Sequence, residues 1–303
     1  MSMIDRPPER SAAEATQLDP PPVYLEARAE FAARYLFGEG LEIGALHQPL
    51  AMPAHARVRY VDRMRTDELR REYPELAEWD LTEVGVVDDG ETLATVAAES
   101  QDFIVANHFL EHTENPIGTI ETHLSKLKPG GVLFYAVPDK RYTFDFRRPV
   151  TPIEEMVADY DQGPERSRAG HYDEWCRLVI NEESTGTSAE AASEEWVERR
   201  ARELEAAKYS IHMHVWTQAE FLQLILACRE RLGDGFDIEA TAKRAIEFIV
   251  VLRKQGQLPP PSPPAAGSPE SAPALSGKEE LKQVARRALG KARREARRWR
   301  ARP

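Results

Sequence analysis

The sequence predicts an α/β fold: a mostly parallel sheet of seven strands with an antiparallel C-terminal hairpin and a helical insertion after the fifth strand. Three observations carry this expectation. Short apolar runs alternate with segments whose apolar residues recur at helical spacing. The first five runs end at Gly44, Asp62, Asp88, Asn107 and Asp139, and the carboxyl ends of parallel strands are where such sheets receive ligands. The last two runs are joined by so short a link that they must pair as a hairpin.

The chain has 303 residues, 42% hydrophobic and 30% charged, enough for one domain of roughly 200 to 250 residues with flanking segments. No run of about 18 apolar residues occurs, and residues 1–22 are polar and proline-rich without a signal-peptide core, so a cytoplasmic location is expected. Cys176 and Cys228 stand in unrelated contexts and suggest neither a disulfide framework nor a thiolate metal site. The net charge of −11 is uneven. Residues 278–303 hold eleven Lys or Arg against three Glu, so the preceding 277 residues carry −19 and make a poor surface for nucleic acid.

Taken in order, Leu25, Ala29, Ala32, Tyr35 and Leu36 mark a helix over residues 23–37 that lies across the first strand. That strand ends in Leu41-Glu-Ile-Gly44, where a glycine lets the backbone turn sharply and a nucleotide-like ligand approach the main chain. Pro49 and Pro53 keep the following loop irregular before a second strand, Val58–Asp62. Thr66 is expected to cap a helix through Arg71. A third strand is expected over Glu83–Val87, followed by the acidic turn Asp88-Asp89-Gly90 and a short helix marked by Leu93, Val96 and Ala97. Asp102–Ala106 reads as the fourth strand, and Asn115 with Pro116 opens a helix bearing Ile117, Ile120, Leu124 and Leu127 on one face. The fifth strand, Val132–Val137, ends at Pro138-Asp139.

Between residues 147 and 209 the alternation lapses into a charged insertion with two expected helices, one opened by the capping box Thr151-Pro-Ile-Glu154 and one around Trp196–Ala207. It reads as a lid or substrate-recognition subdomain, or equally as a surface excursion. A second capping box, Thr217-Gln-Ala-Glu220, opens a helix to Leu232, and Phe236–Ala242 and Glu247–Leu252 form the hairpin. The expected organisation is therefore a disordered segment 1–22, a domain 23–254, a proline-rich disordered linker 255–277 and a basic amphipathic helix 278–303.

Leu-Glu-Ile-Gly (41–44), Tyr-Val-Asp (60–62), Asn-His-Phe-Leu-Glu-His (107–112) followed by Asn115-Pro116, and Leu-Lys-Pro-Gly-Gly (127–131) stand in an order that resembles the class I S-adenosylmethionine-dependent methyltransferases. They are most similar to the methyltransferase type 11 group, over about residues 35–253. Relatives with Glu-Ile-Gly-Ala-Leu-His and Val-Pro-Asp-Lys-Arg motifs accompany bacterial glycosyltransferases. The resemblance implies a Rossmann-like fold, S-adenosylmethionine as cofactor, a small-molecule or glycan-linked acceptor methylated on oxygen or, less favoured, on nitrogen, and glycosyltransferases as partners.

It also implies roles for individual residues. Gly44 and the amides of Ala45 and Leu46 would approach the methionine part, with Glu42 binding nearby polar groups or orienting the loop. Asp62 would accept from both ribose hydroxyls, and Asp88 or Asp89 would meet the adenine amino group. Asn107 and His108 would lie near the sulfonium and the nucleophile, with His108, then Asp139, as candidate general base. One departure is plain: where the family carries further glycines, Ala45, Leu46, His47 and Gln48 place side chains at the turn. The alternative expectation is a non-catalytic scaffold of the same fold whose basic tail recruits a membrane or anionic polymer.

Other motifs admit rival readings. His108-Phe-Leu-Glu-His112 matches a zinc-peptidase pattern, but it directly follows a strand and precedes Asn115-Pro116, so no metal is expected there. His212 and His214 alternate with Ile211, Met213 and Val215 and would share one face as a metal pair or, preferably, face the cleft or solvent. His171 is a candidate substrate contact, and Arg141 or Arg147 a candidate partner for an anionic group. The tail, with Trp299 at an interface, could lie peripherally on the inner membrane surface, bind nucleic acid, dock on the acidic body or remain solvated.

Overall fold

The computed structural model describes residues 23–180 and 193–256. The expected segments 1–22 and 278–303, and the linker beyond residue 256, lie outside the described residues. Seven strands form one sheet: β1 (Gly38–Ile43), β2 (Ala56–Asp62), β3 (Val86–Val87), β4 (Gln101–Asn107), β5 (Leu127–Pro138), β6 (Phe236–Arg244) and β7 (Glu247–Lys254). Their order is β3-β2-β1-β4-β5-β7-β6. The pairings among β1 to β5 are parallel, and β7 runs antiparallel between β5 and β6, so the fold class is the one the alternation predicts.

Both faces of the sheet are covered, which is why its central strands read as continuous apolar runs. Successive residues point to opposite faces. Ile104 and Ala106, Leu133, Tyr135 and Val137, and Phe248, Val250 and Leu252 enter one core, with α3 (Pro116–Lys126) and α7 (Gln218–Leu232) packed on it through Ile117, Ile120, Phe221, Leu224 and Cys228. Phe103, Val105, Phe134, Ala136, Ile249 and Val251 enter the other, against Ala27, Ala32 and Leu36 of the α1 region (α1, Val23–Tyr35). Gly40 is required where β1 meets β4, because a Cβ there would run into the carbonyl and ring of Phe103. The helix starts at Asn115 and Thr217 are as expected: Asn115 accepts from the Gly118 amide at 2.9 Å, and Thr217 and Glu220 close a capping box.

Several expectations fail locally. Thr66 does not cap α2 (Thr66–Glu72) but is its first residue, and its buried hydroxyl accepts from the Val84 amide at 2.9 Å. That bond diverts Val84 from the sheet, and β3 shortens to two residues. The helix expected around Leu93 does not form: the Asp88 carboxylate takes the amides of Ala94 and Thr95, at 3.2 and 2.8 Å, and folds the segment into turns. Leu127 is the first residue of β5 rather than the last of α3.

Among the described residues, the insertion contains α4 (Ile153–Gln162), α5 (Glu165–Trp175), a π turn (Cys176–Ile180) and α6 (Glu194–Ala206), of which α5 was not expected. Thr151 is not a cap; it exchanges backbone and side-chain bonds with Val215. The insertion is a packed unit rather than a solvated excursion. Met156 joins the main core, while Tyr172, Trp175, Cys176, Val197, Leu204 and Met213 form a core of their own. Arg148, 1% exposed, fastens it by donating to Asp145, Glu174 and the carbonyls of His212 and Met213, at 2.7 to 3.1 Å.

Candidate functional site

The strand order reverses direction between β1 and β4, and open parallel sheets bind ligands in the crevice at that point. Gly44 leaves β1 with φ of 67°, and a Cβ built on it would meet nothing within 4 Å, so the space above the turn is open. Its amide is not aimed there: it donates to Val61 O at 2.9 Å and ties the turn to β2. Leu46 adopts φ of 47°, the conformation a glycine would otherwise supply. Its side chain packs against Leu69, Leu76 and Leu81.

Glu42 is 1% exposed and lies beneath this turn. Both its oxygens accept from the Leu50 amide, at 2.9 and 3.1 Å, so it orients the 44–50 loop rather than facing a ligand. Burial pushes its carboxyl up to about 7, against the Leu50 bond and the charge of Arg28. Across the switch point, Asn107 ends β4 with its Nδ2 3.4 Å from Glu42 and its buried Oδ1 without a partner. Asp62 ends β2 and accepts the Arg63 amide at 2.7 Å. Burial raises its carboxyl above the ordinary value, against the Arg63 and Met64 amides and the Arg63 charge. Asp88, by contrast, holds the following turn through Thr95, Ala94 and Asp89. The neighbouring Asp89 is exposed, and its Oδ1 accepts the amides of Glu91 and Thr92.

A second group of side chains gathers where β4, β5 and the reversed β7 meet. His108 follows β4 with φ of 50°, and its Nε2 lies 2.8 Å from Glu247 Oε2. Glu247 opens β7, is fully buried, and also accepts both forks of Arg28 from α1, Nε at 2.8 Å. Against the burial that would raise it, Arg28 and His108 hold Glu247 below the usual carboxylate range. An ionised acceptor at Nε2 assigns that nitrogen the proton and leaves Nδ1 of a neutral imidazole as the base. Asp139 is committed otherwise: fully buried, it takes Arg141 at 2.7 and 2.9 Å and Lys243 at 3.1 Å. These cations hold it below its ordinary value despite the opposing burial. Arg141 is thus paired, and Arg147 lies over the Phe146 ring.

The His-x-x-Glu-His run is not helical in the way a peptidase requires: only Leu110–His112 form a single 3-10 turn, and His108 turns away to Glu247. Glu111 is 1% exposed with neither carboxylate oxygen partnered. His112 and His212 meet edge to face at 4.7 Å, and His212 Nδ1 lies 2.7 Å from Asp145. His212 and His214 are both buried, and His214 instead meets His171, whose pKa burial lowers to about 4. Arg28, Glu247 and Glu111 escaped sequence reasoning. Arg28 had one signal, a charge four residues before Ala32 on the apolar stripe of α1.

Among solved structures, an S-adenosylmethionine-dependent methyltransferase of Aquifex aeolicus is 12% identical over 81% of this chain and 100% of its own, with a TM-score of 0.41. One of Methanosarcina mazei is 16% identical over 73% and 94%, with a TM-score of 0.38. A candidate methyltransferase of Bacillus halodurans C-125 is 12% identical over 77% and 99%, with a TM-score of 0.41. Likenesses this distant assign no activity. No curated protein matches the sequence. The methyltransferase domain family does match, over residues 25–226. Because that match runs from α1 into α7 and takes in all five parallel strands of the crevice, the chain belongs to the methyltransferase domain family.

Proposed function

We propose that the protein passes a methyl group from S-adenosylmethionine to a hydroxyl oxygen of a small-molecule or glycan-linked acceptor. The observation that carries this reading is the juxtaposition of an open cradle over Gly44 with a histidine base held by an ionised carboxylate one strand away. The residues present fit the cofactor. Asp62 is a partly buried carboxylate at the end of β2, placed to suit a ribose diol, and the orphaned Oδ1 of Asn107 suits the ammonium of an amino acid. Asp89, exposed beside the crevice, is the acid that would reach the adenine edge, with Asp88 holding its turn.

The cofactor supplies a methyl carbon on a cationic sulfonium, so alignment of the acceptor accounts for much of the acceleration. His108 is one third exposed and its Nε2 is taken by Glu247, so Nδ1 is the nitrogen left to take the acceptor's proton. The imidazolium that forms is stabilised by Glu247, whose charge Arg28 maintains. Asp139 shapes the site's edge through Arg141 and Lys243.

Calorimetry with S-adenosylhomocysteine tests the cofactor. Asp62→Ala, which deletes two charge-assisted hydrogen bonds, should weaken binding by about 100-fold or more. His108→Asn should leave that affinity intact and lower kcat by about 10²- to 10⁴-fold in a methyl-transfer screen over cell-surface sugars and their nucleotide-linked precursors. Unchanged affinity in Asp62→Ala sinks the assignment of the site, and no binding by the parent protein supports a non-catalytic scaffold instead. The basic segment 278–303 is the part we propose meets an anionic membrane surface or nucleic acid, with glycosyltransferases as partners that would deliver the acceptor.

A further inference from the structure

We propose that Glu111, His112 and His212 bind a first-row divalent metal ion beside His108. The three converge from distant parts of the chain, Glu111 and His112 from the turn after β4 and His212 from the extended run before α7, and one ligand atom of each lies within 4.8 Å of the other two. Metal–ligand bonds of about 2.0 to 2.2 Å bring such atoms together with small side-chain rotations.

Two independent features point to a cation. The first is Glu111 itself: its carboxylate is buried, and neither oxygen has a hydrogen-bond partner among the described residues. A buried carboxylate in that state is strongly unfavourable unless a charge joins it, and a divalent ion supplies one. The second is the support behind the histidines. His212 Nδ1 lies 2.7 Å from Asp145 Oδ2, and Arg148 in turn holds Asp145 Oδ1 at 3.0 Å. A carboxylate behind one ring nitrogen fixes the tautomer and leaves Nε2 as the basic ligand, the arrangement that backs metal-binding histidines generally. His112 is oriented by the carbonyl of Ile211, 2.9 Å from its Nδ1, and by Ser210 at 3.1 Å.

Two imidazoles and one carboxylate select zinc, manganese, iron or cobalt over magnesium and calcium, which prefer all-oxygen sites. Three protein ligands leave coordination positions open, as catalytic sites do. Resting on the methyl-transfer reading above, the inference is that an acceptor hydroxyl occupies one of them. The metal lowers its pKa, its proton passes to His108, and the freed oxygen lone pair forms the new bond to the methyl carbon as that carbon's bond to sulfur breaks.

The trio Glu155, His171 and His214 has the same composition and serves as the control. Its carboxylate side chain is 38% exposed rather than sealed in. The test titrates chelator-treated full-length protein with Zn²⁺, Mn²⁺ and Co²⁺ by calorimetry, and follows Co²⁺ by its visible absorption, with no cofactor or acceptor present. One ion per chain is expected. Glu111→Gln and His212→Ala should each weaken binding by about 100-fold, Asp145→Asn by about 10- to 100-fold, and His214→Ala should leave it unchanged. Metal should raise the thermal midpoint of the parent protein but not of Glu111→Gln, which removes a buried charge and keeps the apo fold. Absence of stoichiometric binding, or binding that survives Glu111→Gln and is lost in His214→Ala, overturns the proposal. S-adenosylhomocysteine calorimetry on the same metal-free sample separates the two claims: metal bound without it leaves the metal site standing and removes the methyl-transfer reading, while the converse removes the metal site.

Discussion

Replacing Glu42 with Gln should stabilise the protein at pH 8 and change little at pH 4. Glu42 sits 1% exposed under the Gly44 turn, and burial lifts its carboxyl from 4.5 to about 7. A raised carboxyl means that the folded state binds the extra proton between those values, so stability falls as pH rises through the window and is lowest above it. At about 1.4 kcal/mol for each pH unit, the ionised Glu42 costs up to about 3 kcal/mol above pH 7. The amide is nearly isosteric. Its carbonyl keeps the bond from Leu50, and its NH₂ can donate to Asn107 Oδ1, which has no partner. The assay is urea unfolding of both proteins between pH 4 and 8, taking the difference at each pH so that other groups, such as Glu91, cancel. The expected gain opens between pH 4.5 and 7 and reaches up to about 3 kcal/mol, or a rise in Tm of up to about 6 to 12 °C for a domain of this size. A flat difference across that range, or a less stable Gln variant at pH 8, would refute the account of Glu42 as a buried, reluctantly ionised loop anchor.

Three further outcomes are expected. Arg28→Met leaves Glu247 buried with only His108 and should destabilise by about 3 to 5 kcal/mol in urea unfolding, while Arg28→Met with Glu247→Gln should recover most of that loss. Because Glu247 titrates below its ordinary 4.5, the stability it confers is present above that value and is lost as pH falls through the folded value; Arg28→Met should lack this acid-side loss. Arg148→Ala takes one partner from Asp145 and leaves the carbonyls of His212 and Met213 without their guanidinium donor, and limited proteolysis should then cut between residues 147 and 209 at protease levels that leave the parent intact. Thr217→Ala removes the capping box of α7 and should cost about 1 kcal/mol, read from the same unfolding curves.

How far the sequence could be read depended on the range of the interaction responsible. Central strands announced themselves because both faces are covered, and Asn115-Pro116 and Thr217–Glu220 are local devices that act as they read. The failures at β3 and at residues 91–100 share a cause: Thr66 and Asp88 capture amides 6 to 18 residues away, and side-chain competition of that kind leaves no periodicity. The helix α5 was missed because its buried residues are His171, Tyr172 and Trp175 amid charges, a stripe too polar to register. In the site, Glu42, Gly44, Asp62, Asn107 and His108 were visible since each ends a strand or adjoins its end. The partners that define their chemistry were not. Arg28 and Glu247 are 219 positions apart, and Glu111 and His112 find their third companion in His212. The motif reading of residues 108–112 also assumed helical spacing, which a single 3-10 turn does not provide.

The reversal of β7 has a consequence for the order in which the protein is made. Running against its neighbours, β7 delivers its first residue, Glu247, to the end of the sheet where the parallel strands finish, and there it meets a helix from the start of the described chain. A nascent polypeptide can pair its five parallel strands before residue 247 exists, yet until then Arg28 lacks the carboxylate that takes both its forks. Among the described residues, the last strand is thus the one that supplies the carboxylate shared by the first helix and His108. A chain released before residue 247 would keep the parallel strands and leave His108 without its carboxylate partner.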